Sequence, residues 1–167
     1  MLYLLDANVL IDANRDYYPL NRVPEFWDWL INMGERGLVK IPIETYGEIE
    51  VGTDELAVWA KERYVRDALK FEEEVKIELV RQVISDGYAN DLDDIELSKL
   101  GKDPLLISYA LVDPGSRCIV TTEKSRPKSV RSNRHVPDVC KDCGIIALHT
   151  FNLISELNFS TNWKANL

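Results

Sequence analysis

Acidic residues at the ends of predicted buried strands are the residues in this sequence best suited to chemistry. The first strand is the apolar run 2–5, which stops at Asp6. A later apolar run, 117–121, is followed in the same way by Glu123. An ionised carboxylate at the edge of a core is costly unless it is paired or coordinates a cation. Because ligands of open α/β sheets bind at the carboxyl ends of the strands, Asp6 and Glu123 predict a site at that edge.

Two further acids stand at comparable points of the chain. Glu48 lies in a helix predicted to follow the second strand, and Asp103 precedes Pro104 as the predicted N-cap of an almost wholly apolar helix. Clustered carboxylates raise one another's pKa and repel, so a cation is needed to stabilise them. Mg²⁺ or Mn²⁺ accepts oxygen ligands and leaves room for a substrate phosphate. Metal-assisted phosphodiester hydrolysis is therefore the chemistry that these acids predict.

Simpler interpretations remain open for the same residues. Asp6 alone could cap the next helix, with Asn8 as an incidental polar residue. The sequence contains no P-loop, dinucleotide fingerprint or serine-histidine-aspartate elbow. A haloacid-dehalogenase-like phosphatase also begins with a strand-end aspartate, but its general acid would stand at position 8, where this chain has asparagine.

Composition limits the possible classes of protein. A chain of 167 residues is long enough for one domain, 1–167, and too short for two ordinary ones. No apolar run is long enough to span a membrane, and no signal pattern opens the chain, so we expect a cytoplasmic location. Three cysteines argue against a disulfide framework. The single Cys140–Cys143 pair is weak evidence for zinc, and buried or half-buried thiols are the expected state.

A basic segment follows Glu123 directly. The net charge of −8 is not typical of a nucleic-acid-binding protein, but local potential governs encounter. One interpretation is a solvated loop, because Pro127 and several serines favour turns. The other is contact with the phosphates of a substrate beside the acids. The cations of the segment are Lys124, Arg126, Lys128, Arg131 and Arg134.

Short apolar runs alternate with helical patterns along the chain, which predicts an α/β sandwich with a mostly parallel sheet. Strands are expected at 2–5, 38–41, 117–121 and 145–148, and helices at 8–15, 24–33, 43–51, 55–66, 71–85, 104–110, 136–141 and 150–157. Tyr64 is a candidate core residue, residues 87–94 are an expected acidic connection, and Trp163 is an expected exposed aromatic.

Four stretches resemble the motifs of PIN-domain nucleases, in that family's order and over about residues 1 to 150. Asp6-Ala7-Asn8-Val9-Leu10-Ile11 is similar to the opening Asp-x-Asn/Thr/Ser-x-hydrophobic signature. The other three resemblances are Pro42 followed by Glu48-Ile49, Asp103 opening an apolar helix that reaches Ala110, and Val120-Thr121-Thr122-Glu123, which is similar to a strand-end Thr-x-Asp.

The resemblance implies a three-layer α/β/α sandwich and a Mg²⁺- or Mn²⁺-dependent endoribonuclease, most similar to VapC-like toxins. By position, Asp6, Glu48, Asp103 and Glu123 would hold the metal and carry catalysis, with Asn8 supporting Asp6. RNA, gripped through its phosphates by the cations of the basic segment, is the implied substrate, and a homodimer and a protein antitoxin are the implied partners. Glu123 departs from the commoner aspartate, which keeps a second hypothesis open: a PIN-like RNA- or protein-binding module with little or no activity.

Overall fold

A parallel sheet forms the centre of the protein, for which a computed structural model describes residues 1–166. Within them, five strands pair in parallel in the order β3-β2-β1-β4-β5. The strands are β1 (Leu2–Leu5), β2 (Val39–Pro42), β3 (Lys70–Phe71), β4 (Arg117–Thr121) and β5 (Ile146–His149). The chain builds outward from β1 in one direction and then from β4 in the other. The β1/β4 junction is therefore a topological switch point, where crevices form in such sheets.

Helices cover both faces of the sheet. The first five are α1 (Ala7–Asp12), α2 (Pro24–Glu35), α3 (Ile43–Glu50), α4 (Glu55–Lys61) and α5 (Arg63–Leu69). The next five are α6 (Ile77–Gln82), α7 (Asp94–Lys99), α8 (Asp103–Leu111), α9 (Val136–Asp142) and α10 (Thr150–Glu156). In the part of the chain that is described, no helix has the length and apolarity needed to cross a membrane.

Alternate residues of β1 contribute to two separate cores. Tyr3 and Leu5 pack with the buried tryptophans of α2, whereas Leu4 packs with α8 and α9. Successive side chains of a strand point to opposite faces, so the sheet separates two hydrophobic layers. This arrangement confirms the predicted three-layer α/β/α sandwich, with a sheet that is parallel throughout the described residues.

The region between α3 and α7 differs most from prediction. The expected helix 55–66 is interrupted at Glu62, whose extended backbone (φ −62°, ψ 134°) separates α4 from α5. Tyr64 was expected in the core but is 56% exposed. The expected helix 71–85 is also wrong at its start, because Phe71 pairs with Pro42 as edge strand β3 and the helix begins only at Ile77.

Three local predictions are corrected by capping and packing. The expected acidic connection, 87–94, is helical at both ends: its first two residues end the π-helical turn Val83–Tyr88, and its last residue begins α7, where Asp93 and Glu96 build a reciprocal capping box. Asp103 is the first residue of α8, and Lys102 occupies the N-cap position instead. Trp163 is only 8% exposed and donates its indole N–H to the carbonyl of Glu25 at 2.9 Å, so it closes the core.

The close packing of α2 against α5 gives a first stability prediction. A Cβ added at Gly34 would lie 2.6 Å from the carbonyl oxygen of Ala68, so backbone would have to move. We expect Gly34→Ala to destabilise the protein by about 1–3 kcal/mol in chemical denaturation. Gly47→Ala is the matched control, since a Cβ there meets nothing within 4 Å, and it should stabilise α3 by about 0.5–1 kcal/mol. Equal stability of the two variants would contradict this packing.

Candidate active site

Asp6 joins the ends of β1 and β4 at the switch point. One carboxyl oxygen, Oδ2, accepts a hydrogen bond from Thr121 Oγ1 at 2.8 Å. The other, Oδ1, accepts from the backbone N–H of Asn8 at 3.4 Å and so caps α1. Asp6 is therefore both a helix cap and a buried acid, with 6% exposure. The capping interpretation and the site interpretation are both compatible with this position.

Glu123 leaves β4 two residues after Thr121 and reaches the start of α9. Its Oε2 accepts the backbone N–H of Val136 at 2.8 Å and lies 3.4 Å from Nδ1 of His135. Its own N–H donates to Thr121 Oγ1 at 3.2 Å. Helix N-termini stabilise carboxylates, so α9 anchors this side chain. One of the two oxygens of Glu123 is thus already engaged by the protein.

The four predicted acids lie within electrostatic range of one another. Burial, followed by the charges of Asp6, Glu123 and Glu48 in that order, raises the pKa of Asp103 to about 7. Burial also raises the pKa of Asp6, an effect partly offset by hydrogen bonds from Thr121 and Asn8 and reinforced by Glu123. For Glu48, burial and then Asp6 raise the pKa, while Lys102 lowers it. We call these four residues the acid cluster.

The acid cluster has the donor chemistry of a site for a hard divalent ion. Its four carboxylates carry more negative charge than the neighbouring Lys102 can balance, as the raised pKa of Asp103 indicates. Within residues 1–166, however, no three His, Cys, Asp or Glu side chains are close enough to chelate an ion directly. Mg²⁺ commonly keeps several waters and takes only one or two carboxylates, so the cluster fits such an ion in a partly hydrated state.

The basic segment divides into two groups. Lys124, Arg126 and Lys128 are exposed beside Glu123. Arg131 instead forms ion pairs with Glu96 at 2.7 Å and Asp91 at 2.8 Å. These positions leave the first three cations available to a phosphate, whereas Arg131 holds the segment to the start of α7.

Arg134 and Asp138 anchor the same segment to α9. Arg134 pairs with Asp142 at 2.6 Å and donates to the carbonyl of Gly87. Buried Asp138 accepts the hydroxyl of Ser125 and, at 2.7 Å, the N–H of Arg126. Both predicted RNA contacts at 131 and 134 are thus occupied by protein acids, and RNA contact by them stays a prediction that requires these pairs to open.

Three residues of the site were missed by the sequence interpretation. Thr121 binds Asp6, Lys102 lowers the pKa of Glu48, and His135 faces Glu123. Thr121 stands two residues before Glu123 and Lys102 directly before Asp103, and this closeness in sequence to predicted site residues could have indicated both. The contact of His135 with Glu123 depends on how the chain folds, and no local sequence pattern indicates it. The thiols were predicted correctly: Cys118 and Cys140 are buried, Cys143 is half-buried, and all three are free.

Comparison with known proteins identifies the family. The family profile described as "Domain of unknown function (DUF4411)" matches residues 3–161, which is nearly the whole chain. The chain belongs to the DUF4411 family. No curated protein and no solved structure matches this DUF4411 chain.

Proposed function

We propose that this DUF4411 protein is a Mg²⁺- or Mn²⁺-dependent endoribonuclease of the PIN-like type. The observation that carries the proposal is the convergence of Asp6, Glu48, Asp103 and Glu123 at the switch point of a parallel sheet. The four acids are far apart in sequence: Asp6 and Glu123 follow β1 and β4, and Glu48 and Asp103 lie in α3 and α8. Concentrating negative charge where Asp103 has a pKa near 7 destabilises the folded protein, as expected of a site kept for a ligand.

Each side chain has a distinct role in this proposal. Asp6 and Asp103, the most enclosed pair, would hold the ion, with Glu48 completing the set from the solvent side. Glu123, with one oxygen bound to α9, would act through the other oxygen or through a water. When bound, the ion would neutralise charge on the scissile phosphate and lower the pKa of a water. Thr121 and Asn8 fix the carboxylate of Asp6.

RNA is the proposed substrate, and the resemblance to VapC-like toxins supports a protein antitoxin and a homodimer as partners. The exposed cations Lys124, Arg126 and Lys128 support RNA in particular, because they follow Glu123 directly on a loop that Asp138 holds in place. Phosphate contacts of this kind position the nucleic acid without reading its sequence.

A second function is favoured by a specific observation. One oxygen of Glu123 already accepts a hydrogen bond from α9. Within residues 1–166, no three potential ligands are close enough together to hold an ion directly. Both features also suit a PIN-like binding module that holds metal weakly or not at all. The two functions differ in whether divalent ions bind and whether RNA is cut.

The deciding experiment measures ion binding and RNA cleavage on the same wild-type protein. Mn²⁺ and Mg²⁺ are titrated by calorimetry, and labelled single-stranded RNA is incubated with chelator, with Mg²⁺ and with Mn²⁺. The nuclease proposal expects millimolar or tighter binding and cleavage that stops with chelator. RNA binding without ion binding or cleavage would establish the module instead.

The exposed cations give a separate binding prediction. Replacing Lys124 and Lys128 with alanine should weaken RNA binding. The slope of the logarithm of the RNA-binding constant against the logarithm of the salt concentration should become less steep by about 1.4, since each phosphate contact contributes about 0.7 for single strands. Fluorescence anisotropy over a salt series, in an Asp103→Asn background that suppresses cleavage, measures the slope. Lys99→Ala with Lys141→Ala removes two other exposed lysines as the control. An equal slope change in both pairs would refute a dedicated contact.

A further inference from the structure

Tyr88 carries a buried hydroxyl that the protein leaves without a partner. The residue is 7% exposed, and among residues 1–166 its phenolic oxygen has no hydrogen-bond partner. Buried hydroxyl groups are normally satisfied, and an unsatisfied one lowers stability. The comparable buried Tyr46 donates to the carbonyl of Ala60 at 2.8 Å. The exception at Tyr88 therefore needs an explanation.

The segment that carries Tyr88 packs against the two helices that position Asp103 and Glu123. Tyr88 ends a π-helical turn, Val83–Tyr88, that continues α6 and contacts both α8 and α9. Helix α8 begins with Asp103, and α9 begins with the N–H that binds Glu123. Burial and then Asp103 raise the pKa of the Tyr88 phenol, and Glu123 contributes as well. Both site acids thus lie within electrostatic range of this oxygen.

Close packing fixes the π-helical turn in this position. A Cβ at Gly87 would lie 2.4 Å from Cγ1 of Val139, so only glycine lets the turn approach α9 this closely. The carbonyl of Gly87 also accepts a hydrogen bond from Arg134. Insertions of this helical type are frequent at functional sites. The backbone next to Tyr88 is therefore held closely against α9.

We propose that Tyr88 is a positioning residue of the acid cluster, whose phenolic oxygen accepts a hydrogen bond from a water that a bound divalent ion holds on the Asp103 side. This role rests on the proposed function. No described side chain or backbone group forms a hydrogen bond with the hydroxyl, so its partner is a group that the protein does not itself supply. A water on an ion has that chemistry, since the cation strengthens its O–H groups as donors and an acceptor is needed to orient them.

The test compares Tyr88→Phe with Tyr46→Phe, which removes a hydroxyl that does have a protein partner. Without divalent ions, Tyr88→Phe should keep or raise the melting temperature, whereas Tyr46→Phe should lower it. With Mn²⁺, Tyr88→Phe should bind the ion about 10- to 100-fold more weakly by calorimetry and electron paramagnetic resonance, and Tyr46→Phe should match wild type. The kcat for RNA cleavage should fall with the Mn²⁺ affinity of Tyr88→Phe.

Each other result overturns a defined part of the argument. Wild-type Mn²⁺ affinity in Tyr88→Phe would refute the positioning role while leaving the nuclease proposal intact. A melting temperature reduced as in Tyr46→Phe would mean that the hydroxyl is satisfied within the metal-free protein. Absence of Mn²⁺ binding and of cleavage in the wild type would refute the proposed function itself, and the role of Tyr88 with it.

Discussion

Asp103→Asn is expected to reduce RNA cleavage by at least about a hundredfold, because a lost ion ligand removes several kcal/mol of transition-state stabilisation. Asp103 is the acid whose pKa is raised, in addition to the effect of burial, by the charges of all three others, Asp6, Glu123 and Glu48. Asparagine keeps the shape of the side chain but not its charge. Initial rates on labelled RNA with Mg²⁺ measure the effect, and Asp6→Asn should behave in the same way.

The same substitution should stabilise the metal-free protein. At about pH 8 the Asp103 carboxylate is ionised among three other acids, and each unit of its raised pKa corresponds to about 1.36 kcal/mol of unfavourable free energy. Allowing for relaxation, we expect a gain of about 1–3 kcal/mol, or several degrees in melting temperature. Loss of activity together with increased stability distinguishes a functional acid from a structural one.

Asp94→Asn is the matched control for charge, since Asp94 is an exposed acid of α7. It should leave cleavage unchanged and stability within about 0.5 kcal/mol. Asp103→Asn purified in parallel also reveals any contaminating ribonuclease, which would be present in both preparations. Cleavage that persists in Asp103→Asn at the wild-type rate would remove Asp103 from the site.

The positions of the strand ends were predictable from local sequence. The run 2–5 is apolar at every residue and 117–121 has the apolar centre 118–120, a pattern typical of strands buried on both faces, and both are interior strands of the sheet. Parallel strands bring their carboxyl ends to one edge. Once β1 and β4 are neighbours, Asp6 and Glu123 must therefore lie near each other, and the hydrogen bonds through Thr121 follow.

Features set by tertiary partners were not predictable. Strand β3 has only two residues, and it forms because they pair with Ile41 and Pro42 at the edge of the sheet. No local sequence pattern predicts this pairing. The ion pairs of Arg131 are a second case, since the carboxylates that it contacts belong to residues 91 and 96, which only the fold brings beside it. The burial of Tyr88 likewise results from the packing of its segment against α8 and α9, which the local sequence does not predict.

The stability of the metal-free protein should fall as pH rises from about 5 to about 8. The ordinary pKa of Asp103 is 3.8, and the folded protein raises it to about 7. Between these values the folded state binds more protons than the unfolded state, so raising the pH removes stability across that window. Acids with lowered pKa, such as Glu73 beside Arg117 and Glu96 beside Arg131, act oppositely, but their stabilisation is lost only as pH falls below about 5.

Divalent ions should reverse this loss of stability. An ion that binds only the folded state at a hundred times its Kd adds about 2.7 kcal/mol, and protons compete with it as the acids become neutral. Saturating Mg²⁺ should therefore raise the melting temperature strongly at about pH 8 and weakly at about pH 5. Asp103→Asn should flatten both responses, whereas Asp94→Asn should keep them. A wild-type profile as flat as that of Asp103→Asn would mean that the four acids do not share one electrostatic site.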